Sequence, residues 1–209
     1  MPQLKNFKIS RLVGNHSHAG VVTEGRIIPL VNNIKSAHSS EEIFDVVSVT
    51  FGETHMLALD IHGTVWARGT GKYGQLGLGA TSRAKSALDE WVEVTALRGH
   101  QITTISCGSQ HSAAVTTSGD VFTWGRGFEG QTGHGSRDFT PNQIKESDIG
   151  ENEQDLGVHL LPKLVASLVP QKCMPDAVIL VACGPNFTIT VTSGGTLWAW
   201  GEGRCGELG

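Results

Sequence analysis

Glycine recurs at the same six offsets in three separate stretches of this chain, and this spacing constrains the fold more than any other feature. With the first glycine of each stretch as offset zero, the others follow at +11, +17, +19, +22 and +25. The positions are Gly52, Gly63, Gly69, Gly71, Gly74 and Gly77; Gly108, Gly119, Gly125, Gly127, Gly130 and Gly133; and Gly184, Gly195, Gly201, Gly203, Gly206 and Gly209. They account for most of the 27 glycines, so the glycine content indicates a repeat whose copies bury their apolar faces against each other.

Each copy predicts three consecutive β-strands. Two β-branched residues stand six and three residues before each zero glycine, a pattern that favours a buried strand. These pairs are Val46 and Val49, Ile102 and Ile105, and Val178 and Val181. Apolar residues at +5 and +7 have the period of a half-buried second strand. A turn at +10 and +11 then leads to a third strand, Val65–Arg68 in the first copy.

A fourth, outer strand is predicted from the motif Val-x-x-Leu at Val94 to Leu97 and at Val165 to Leu168. Four antiparallel strands repeated in series form the blades of a β-propeller, so the predicted fold class is all-β. Three clear units are centred on 46–79, 94–135 and 165–209, with an insertion over 136–160. Residues 1–42 form an N-terminal segment in which Gly14 and Gly25 lie 11 apart; whether they mark a degenerate fourth unit is left open.

The second unit resembles the regulator of chromosome condensation repeat. The similar segments are Cys107 to Ser112, Gly119 to Gly127 and Gly130 to Gly135, with matching segments in the other two units. Over residues 43–209 this chain departs from the usual pattern at Arg68, Phe187 and Glu207. The resemblance implies a seven-bladed β-propeller, so three or four units make a partial propeller. We expect an incomplete chain, completed by further repeats or by self-assembly.

The glycine loops contain three matches to the dinucleotide-binding motif G-x-G-x-x-G, beginning at Gly69, Gly125 and Gly201. That motif must open a helix whose N-terminus holds the phosphate. The segment from Gln75 to Gly79 is a poor helix start, so the loops are interpreted as structural turns. No cofactor-binding, metal-binding or catalytic residue is predicted.

Histidine and tryptophan at repeat positions are interpreted as structural. His55 and His111 share offset +3, where the third unit has Phe187, so metal ligation is not required of that position. Aromatic packing between blades is expected for Trp66, Trp124, Trp198 and Trp200. A photoreceptor of the resembling family uses interfacial tryptophans within a G-W-R-H-T repeat. This chain lacks that repeat, so light sensing is not indicated.

The insertion is the segment that the repeat leaves unexplained. Its acidic residues are Glu146, Asp148, Glu151, Glu153 and Asp155. A solvated loop is one interpretation; a partner-binding loop is the other, since loops on a rigid scaffold often carry recognition. The five carboxylates are therefore the candidate partner-binding residues.

The net charge of −4 disfavours nucleic acid and anionic membranes as partners, and no segment resembles a signal peptide or a membrane span. We expect an intracellular protein, cytoplasmic rather than nuclear. The function that follows is a non-catalytic protein-interaction scaffold in regulation or signalling. The resemblance also implies an alternative, guanine-nucleotide exchange on a small Ran-like or other GTPase, which needs no active-site chemistry of its own.

Overall fold

Fourteen β-strands form four antiparallel sheets in a computed structural model that describes residues 9–14, 19–23, 26–29, 45–80, 87–135, 157–169, 176–204, 206 and 208. The strands are β1 Ile9–Gly14, β2 Ala19–Thr23, β3 Arg26–Pro29, β4 Val46–Phe51, β5 His55–Asp60, β6 Val65–Gly69, β7 Leu88–Glu93, β8 Ile102–Cys107, β9 His111–Thr116, β10 Val121–Arg126, β11 Val158–Leu164, β12 Val178–Cys183, β13 Phe187–Thr192 and β14 Leu197–Gly201. Short 3-10 helices lie at Thr95–Leu97 and Ala166–Leu168. The predicted all-β fold of propeller-type blades is confirmed.

Each sheet is a meander in which consecutive strands pair. We call β4–β7 blade 1, β8–β11 blade 2 and β12–β14 blade 3; β1–β3 form an N-terminal sheet beside β4. The register repeats as well as the sequence. Offset +3 lies opposite offset +17 in every blade, pairing His55 with Gly69, His111 with Gly125 and Phe187 with Gly201. The three units are therefore structural copies.

The N-terminal sheet has the strand order and the first-strand bulge of the blades, in the segment where a degenerate unit was considered. Its register differs from the glycine alignment by one residue. Gly14 pairs with Ala19 as Phe51 pairs with Met56, so Gly14 occupies the position before the zero glycine. The spacing of Gly14 and Gly25 therefore indicates the correct segment, but Gly14 corresponds to Phe51 and not to the zero glycine Gly52.

The fourth strand lies upstream of the predicted motif. In blade 1 it is β7, which ends before Val94, and in blade 2 it is β11, which ends before Val165. Each Val-x-x-Leu motif instead closes a turn, because the Leu97 amide donates to the Val94 carbonyl at 3.0 Å. The valine and leucine are buried as core residues. β7 was missed because its exposed Asp89 and Glu90 interrupt any apolar pattern.

These strands also shift the unit boundaries. The sheet of blade 2 runs from Ile102 to Leu164, so the predicted insertion lies between its third and fourth strands. Residues 158–160, which were assigned to the insertion over 136–160, belong to β11. Within the described ranges, no helix has the length and apolar character needed to span a membrane.

The hydrophobic core lies between neighbouring blades. Blade 1 contributes Leu57, Val65 and Leu76, which pack with Ile105 and Trp124 of blade 2. A second cluster joins blades 2 and 3 through Ala113, Val115, Val121, Val165, Leu168, Val178 and Val181. Each blade is therefore stabilised mainly by the next one, as expected for a repeat architecture.

The zero glycines let the innermost turns of adjacent blades approach closely. The Glu53 amide donates to the Ser109 carbonyl at 3.0 Å, and the Ser109 amide donates to the Pro185 carbonyl at 3.1 Å. A Cβ atom built on Gly108 would lie 2.6 Å from the Gly184 carbonyl oxygen and would also overlap the His111 ring. A side chain at this position would force neighbouring blades apart.

We expect Gly108→Ala to lower the free energy of unfolding by about 1–3 kcal/mol, the usual cost of overpacking a closely packed site. The added Cβ would clash with the His111 ring and with the backbone carbonyl of Gly184, so moving the His111 side chain alone would not relieve the clash. Urea denaturation measures the loss. Ser109→Ala in the same turn is the control, and an equal effect of both substitutions would contradict the steric explanation.

Candidate functional site

A hydrogen-bond relay connects blade 1 to blade 2. His55 Nε2 lies 2.9 Å from the Ser112 hydroxyl, which donates to the Gln75 carbonyl at 2.8 Å. The Trp124 indole N–H donates to the same carbonyl at 2.9 Å. These groups are buried, so the relay satisfies polar atoms that would otherwise be costly to bury.

The same relay connects blade 2 to blade 3. His111 Nε2 lies 2.9 Å from the Thr188 hydroxyl, which donates to the Gln131 carbonyl at 2.8 Å. The Trp200 indole donates to that carbonyl at 2.9 Å. Each of the two histidines therefore has a structural contact, a hydrogen bond to a hydroxyl of the next blade. Sequence inspection missed Gln75 and Gln131 as relay members, although both stand at offset +23.

Blade 1 departs from the repeat pattern at two relay positions. In blade 1, Met56 and Arg68 replace the hydroxyl and the tryptophan of the later blades. In the later blades the hydroxyl and the indole N–H donate to the glutamine carbonyl of the preceding glycine loop. The sequence before blade 1 contains no such glycine loop, so a hydroxyl and an indole in blade 1 would lack this acceptor. In blade 3, Phe187 stands at the offset of the relay histidines and pairs with Gly201, so this position carries an aromatic ring instead of a hydrogen-bonding group.

Burial keeps both relay histidines neutral. It lowers the pKa of His55 to about 3, helped by the nearby His111, and it lowers the pKa of His111 to about 4, helped by the charge of Arg126. Within the described part of the chain, Nδ1 of neither ring has a hydrogen-bond partner. Since the hydroxyls already donate to the carbonyls, the proton lies on Nε2 and is donated to Ser112 or Thr188. Neither ring is placed to act as an acid or a base.

Cys107 and Cys183 lie at the C-terminal ends of β8 and β12 and are free thiols. Burial raises the pKa of Cys107 well above its usual range and raises the pKa of Cys183 to about 11. A thiol that stays protonated is a poor nucleophile and a poor metal ligand. Among the described residues, no group of three or more histidine, cysteine or carboxylate side chains is arranged to hold a metal ion.

The glycine loops are tight turns, as predicted. In the first loop, the Gly74 amide donates to the Gly71 carbonyl at 2.9 Å, and Gly74 has a φ of +80°, which favours glycine. The buried Gln75 side chain accepts the Tyr73 amide at 2.9 Å, and Gln131 accepts the Glu129 amide in the same way. The described loops continue into further turns and do not open a helix.

The four repeat tryptophans have different environments. Trp124 is fully buried and Trp200 packs against the core between blades 2 and 3, as expected for packing between blades. The Trp66 indole donates to Asp60 of its own blade at 3.0 Å. Trp198 is 44% exposed, so it packs less than predicted.

The five acidic candidate residues and Gly209 lie outside the described residues. The insertion joins β10 to β11 at the end of the sheet that carries the glycine loops. At its C-terminal root, a Cβ built on Gly157 would lie 3.7 Å from the Phe128 ring of the glycine loop. We call this end of the blades the loop face; it holds the glycine loops, the zero-glycine turns and the roots of the insertion.

Comparison with known proteins identifies the repeat. A family model described as regulator of chromosome condensation (RCC1) repeat matches residues 62–115 and 118–191. A second model with the same description matches residues 102–131 and 178–207. Together they cover residues 62–115 and 118–207, which run from the hairpin before β6 of blade 1 into the third glycine loop.

Relatives that share this repeat are larger proteins. The human E3 ubiquitin-protein ligase HERC2 is 38% identical over 161 residues, which are 74% of this chain and 3% of HERC2. The Arabidopsis thaliana ultraviolet-B receptor UVR8 is 36% identical over 168 residues, or 78% of this chain and 31% of the receptor. Prp20p from Saccharomyces cerevisiae, a protein with binding properties toward Gsp1p and histones, has a similar fold. Its TM-score is 0.77 at 17% identity, over all of this chain and 48% of Prp20p. The chain thus spans about half or less of each of these proteins.

Proposed function

Because the chain belongs to the family of regulator of chromosome condensation (RCC1) repeats, we propose that it acts as a non-catalytic protein-interaction scaffold built from β-propeller blades. One observation carries the proposal. The repeat histidines His55 and His111 form the relay between blades with the hydroxyls of Ser112 and Thr188, where these groups hold the blades together. The loop face is then the surface that offers variable side chains to a partner. The proposal includes an intracellular, cytoplasmic location.

The acidic insertion is part of this proposal, since it leaves blade 2 at the loop face. Neutralising its carboxylates is expected to reduce the amount of partner protein retained by the immobilised chain at least several-fold. The substitutions are Glu146→Gln, Asp148→Asn, Glu151→Gln, Glu153→Gln and Asp155→Asn. Retention by the unchanged chain should also fall as salt is raised, because screening weakens contacts between exposed charges.

Asp89→Asn with Glu90→Gln is the matched control for this experiment. Both residues are exposed on β7, so the control removes carboxylates without altering the insertion. Quantitative mass spectrometry of the retained proteins compares the three chains. Equal retention by all three would remove the insertion from the proposed interface, and retention of no specific protein would contradict the scaffold itself.

Guanine-nucleotide exchange on a small Ran-like or other GTPase is the alternative function. It is supported by the similar fold of Prp20p, a protein with binding properties toward Gsp1p. An exchange factor accelerates GDP release from its GTPase without a catalytic triad or metal of its own. Release of fluorescent GDP from a panel of small GTPases therefore separates the two functions. If the chain is a scaffold, GDP release in its presence should be as slow as from the GTPases alone. Faster GDP release that is lost when the five carboxylates of the insertion are replaced by amides supports exchange.

A further inference from the structure

Two histidines meet where the second glycine loop ends against the outer strand of blade 2. His134 follows Gly133, the last repeated glycine of that loop, and His159 lies in β11. Their ring centroids are 4.6 Å apart and the rings are edge to face, with an interplanar angle of 78°. We call this pair the histidine joint. It is separate from the relay, whose histidines stand at offset +3 of their units.

Hydrogen bonds fix the proton on the His134 ring. The Thr123 hydroxyl on β10 donates to the Thr132 carbonyl at 2.5 Å, so it accepts from His134 Nε2, which lies 2.9 Å away. Nε2 therefore carries the proton of the neutral ring. His159 is buried and His134 is half-buried, and burial favours the neutral form of an imidazole. The joint is thus assembled from two neutral rings.

The surroundings of the joint disfavour a proton on either ring. Burial, helped by the Lys163 ammonium on β11, lowers the pKa of both histidines to about 4. His134 also lowers the pKa of His159, because two charged rings would repel each other. Protonation of both rings would therefore place like charges side by side next to an ammonium.

Neighbouring elements offer little to compensate such charges. Within β10, β11 and the first two glycine loops, Glu129 is the only carboxylate residue, and it forms a two-point ion pair with Arg126. The first glycine loop approaches the joint at Gly74, where an added Cβ would lie 2.7 Å from the His159 carbonyl oxygen, and this loop carries Lys72. The charged residues of these elements are thus cations or an already paired carboxylate.

The strand ladder is interrupted beside the joint. In its sheet β11 is an edge strand that neighbours only β10, and the register of the pair shifts between Thr123 and Gly125. Pro162 lies in the shifted segment of β11 and has no amide hydrogen to donate. A Cβ built on Gly135 meets no described atom within 4 Å, so the end of the loop has room to move. Local opening here would break few contacts, as in other segments of low local stability.

We propose that the histidine joint is an acid-sensitive switch at the loop face. With both rings neutral, it holds the end of the second glycine loop, residues 132–135, against β11. When the rings are protonated, their repulsion and the cost of burying charge separate this loop end from β11 while the blades stay folded. The switch goes beyond the proposed scaffold function and does not depend on it.

Opening of the joint takes up protons. The pKa of each histidine is about 4 in the closed joint, whereas an exposed histidine has its ordinary pKa of 6.5. The closed joint is therefore fully favoured above pH 6.5, and this preference is lost as the pH falls towards 4. In that interval opening becomes more favourable by up to roughly tenfold per pH unit for each histidine.

Amide hydrogen exchange on the full chain tests the switch. Exchange rates are measured from about pH 7 to about pH 5 and divided by those of the unfolded chain at the same pH, which removes the intrinsic effect of pH. Amides of residues 133–135 and 158–161 should lose protection at least about tenfold over this interval. At each pH they should also exchange faster than the amides of β9, which is paired on both edges and exchanges only in larger openings.

His159→Phe keeps an aromatic ring in the joint and removes one titrating group. It should make the loss of protection at residues 133–135 several-fold smaller. His62→Phe is the matched control, because His62 is exposed in the hairpin at the opposite end of blade 1, and it should leave that loss unchanged.

Lys163→Met is a second variant that leaves both rings in place. Lys163 is exposed, and removing its charge raises the pKa of both rings, so the dependence of exchange on pH should become weaker. A role in packing alone would leave this dependence unchanged. Equal dependence on pH in the unchanged chain, His159→Phe and Lys163→Met would overturn the proposal. Joint amides that exchange no faster than those of β9 would overturn it as well, since the joint would then open only with the whole chain.

Discussion

Replacing Trp124 by alanine is expected to lower the free energy of unfolding by about 3–5 kcal/mol, the range found for buried aromatic residues. The indole is fully buried in the core between blades 1 and 2. Its N–H also donates to the Gln75 carbonyl at 2.9 Å, so the substitution removes one contact of the relay together with the packing. Since small domains are stable by only about 5–15 kcal/mol, urea denaturation should show a large shift of the midpoint.

Trp198→Ala is the matched control, because it removes the same side chain from blade 3, where 44% of the residue is exposed. Its loss should be less than half that of Trp124→Ala, since less apolar surface leaves the core. Trp124→Phe separates the two contributions by keeping an aromatic ring and removing the N–H. Equal losses for the two alanine variants would show that the core between blades 1 and 2 does not carry the stability.

Acidification is expected to destabilise the chain progressively from about pH 6.5 down to about pH 4. The folded state depresses the pKa of His55 to about 3 and that of His111 to about 4, while histidines in the unfolded chain keep their ordinary pKa of 6.5. The unfolded state therefore binds more protons in this interval. The stabilisation is fully present above pH 6.5 and is lost as the pH falls towards the folded pKa values, by roughly 1 kcal/mol or more per pH unit for each buried histidine.

His134 and His159 act in the same direction. Their ring centroids lie 4.6 Å apart, and burial lowers the pKa of each to about 4. The contribution of the relay can be isolated with His111→Phe, a residue that the third unit carries at the same offset. This variant should have a shallower dependence of unfolding free energy on pH between 6.5 and 4, measured by urea denaturation at several pH values. An unchanged slope would contradict the assignment of this dependence to the relay.

The repeat and its strands could be predicted from the sequence because they depend on local spacing. The positions before the zero glycine, the alternation after it and the hairpin turn each reflect a backbone requirement that every unit meets separately. Outer strand β7 could not be predicted in this way, because none of its residues is fully buried and it tolerates consecutive charged residues such as Asp89 and Glu90. The motif from Val94 to Leu97 is apolar for another reason. Its valine and leucine lie in a turn, and their side chains are buried in the core between blades 1 and 2.

The partners of the repeated polar residues could not be obtained from spacing. His55 meets Ser112 across 57 positions of sequence, and Trp124 meets Gln75 across 49. These contacts exist because adjacent blades stack, so they depend on the relative placement of two sheets. The same holds for the Tyr73 and Phe128 rings, which meet edge to face although they belong to different units.

Sequence by itself determined the class of fold, the number of clear units and the structural role of the glycine loops, because each follows from backbone conformations that only certain residues allow. Tertiary structure decided which residues close each blade, why Arg68 and Met56 depart from the repeat, and which side chains share the loop face. Those features arise from packing between blades, where residues far apart in sequence must satisfy each other's volume and hydrogen bonds.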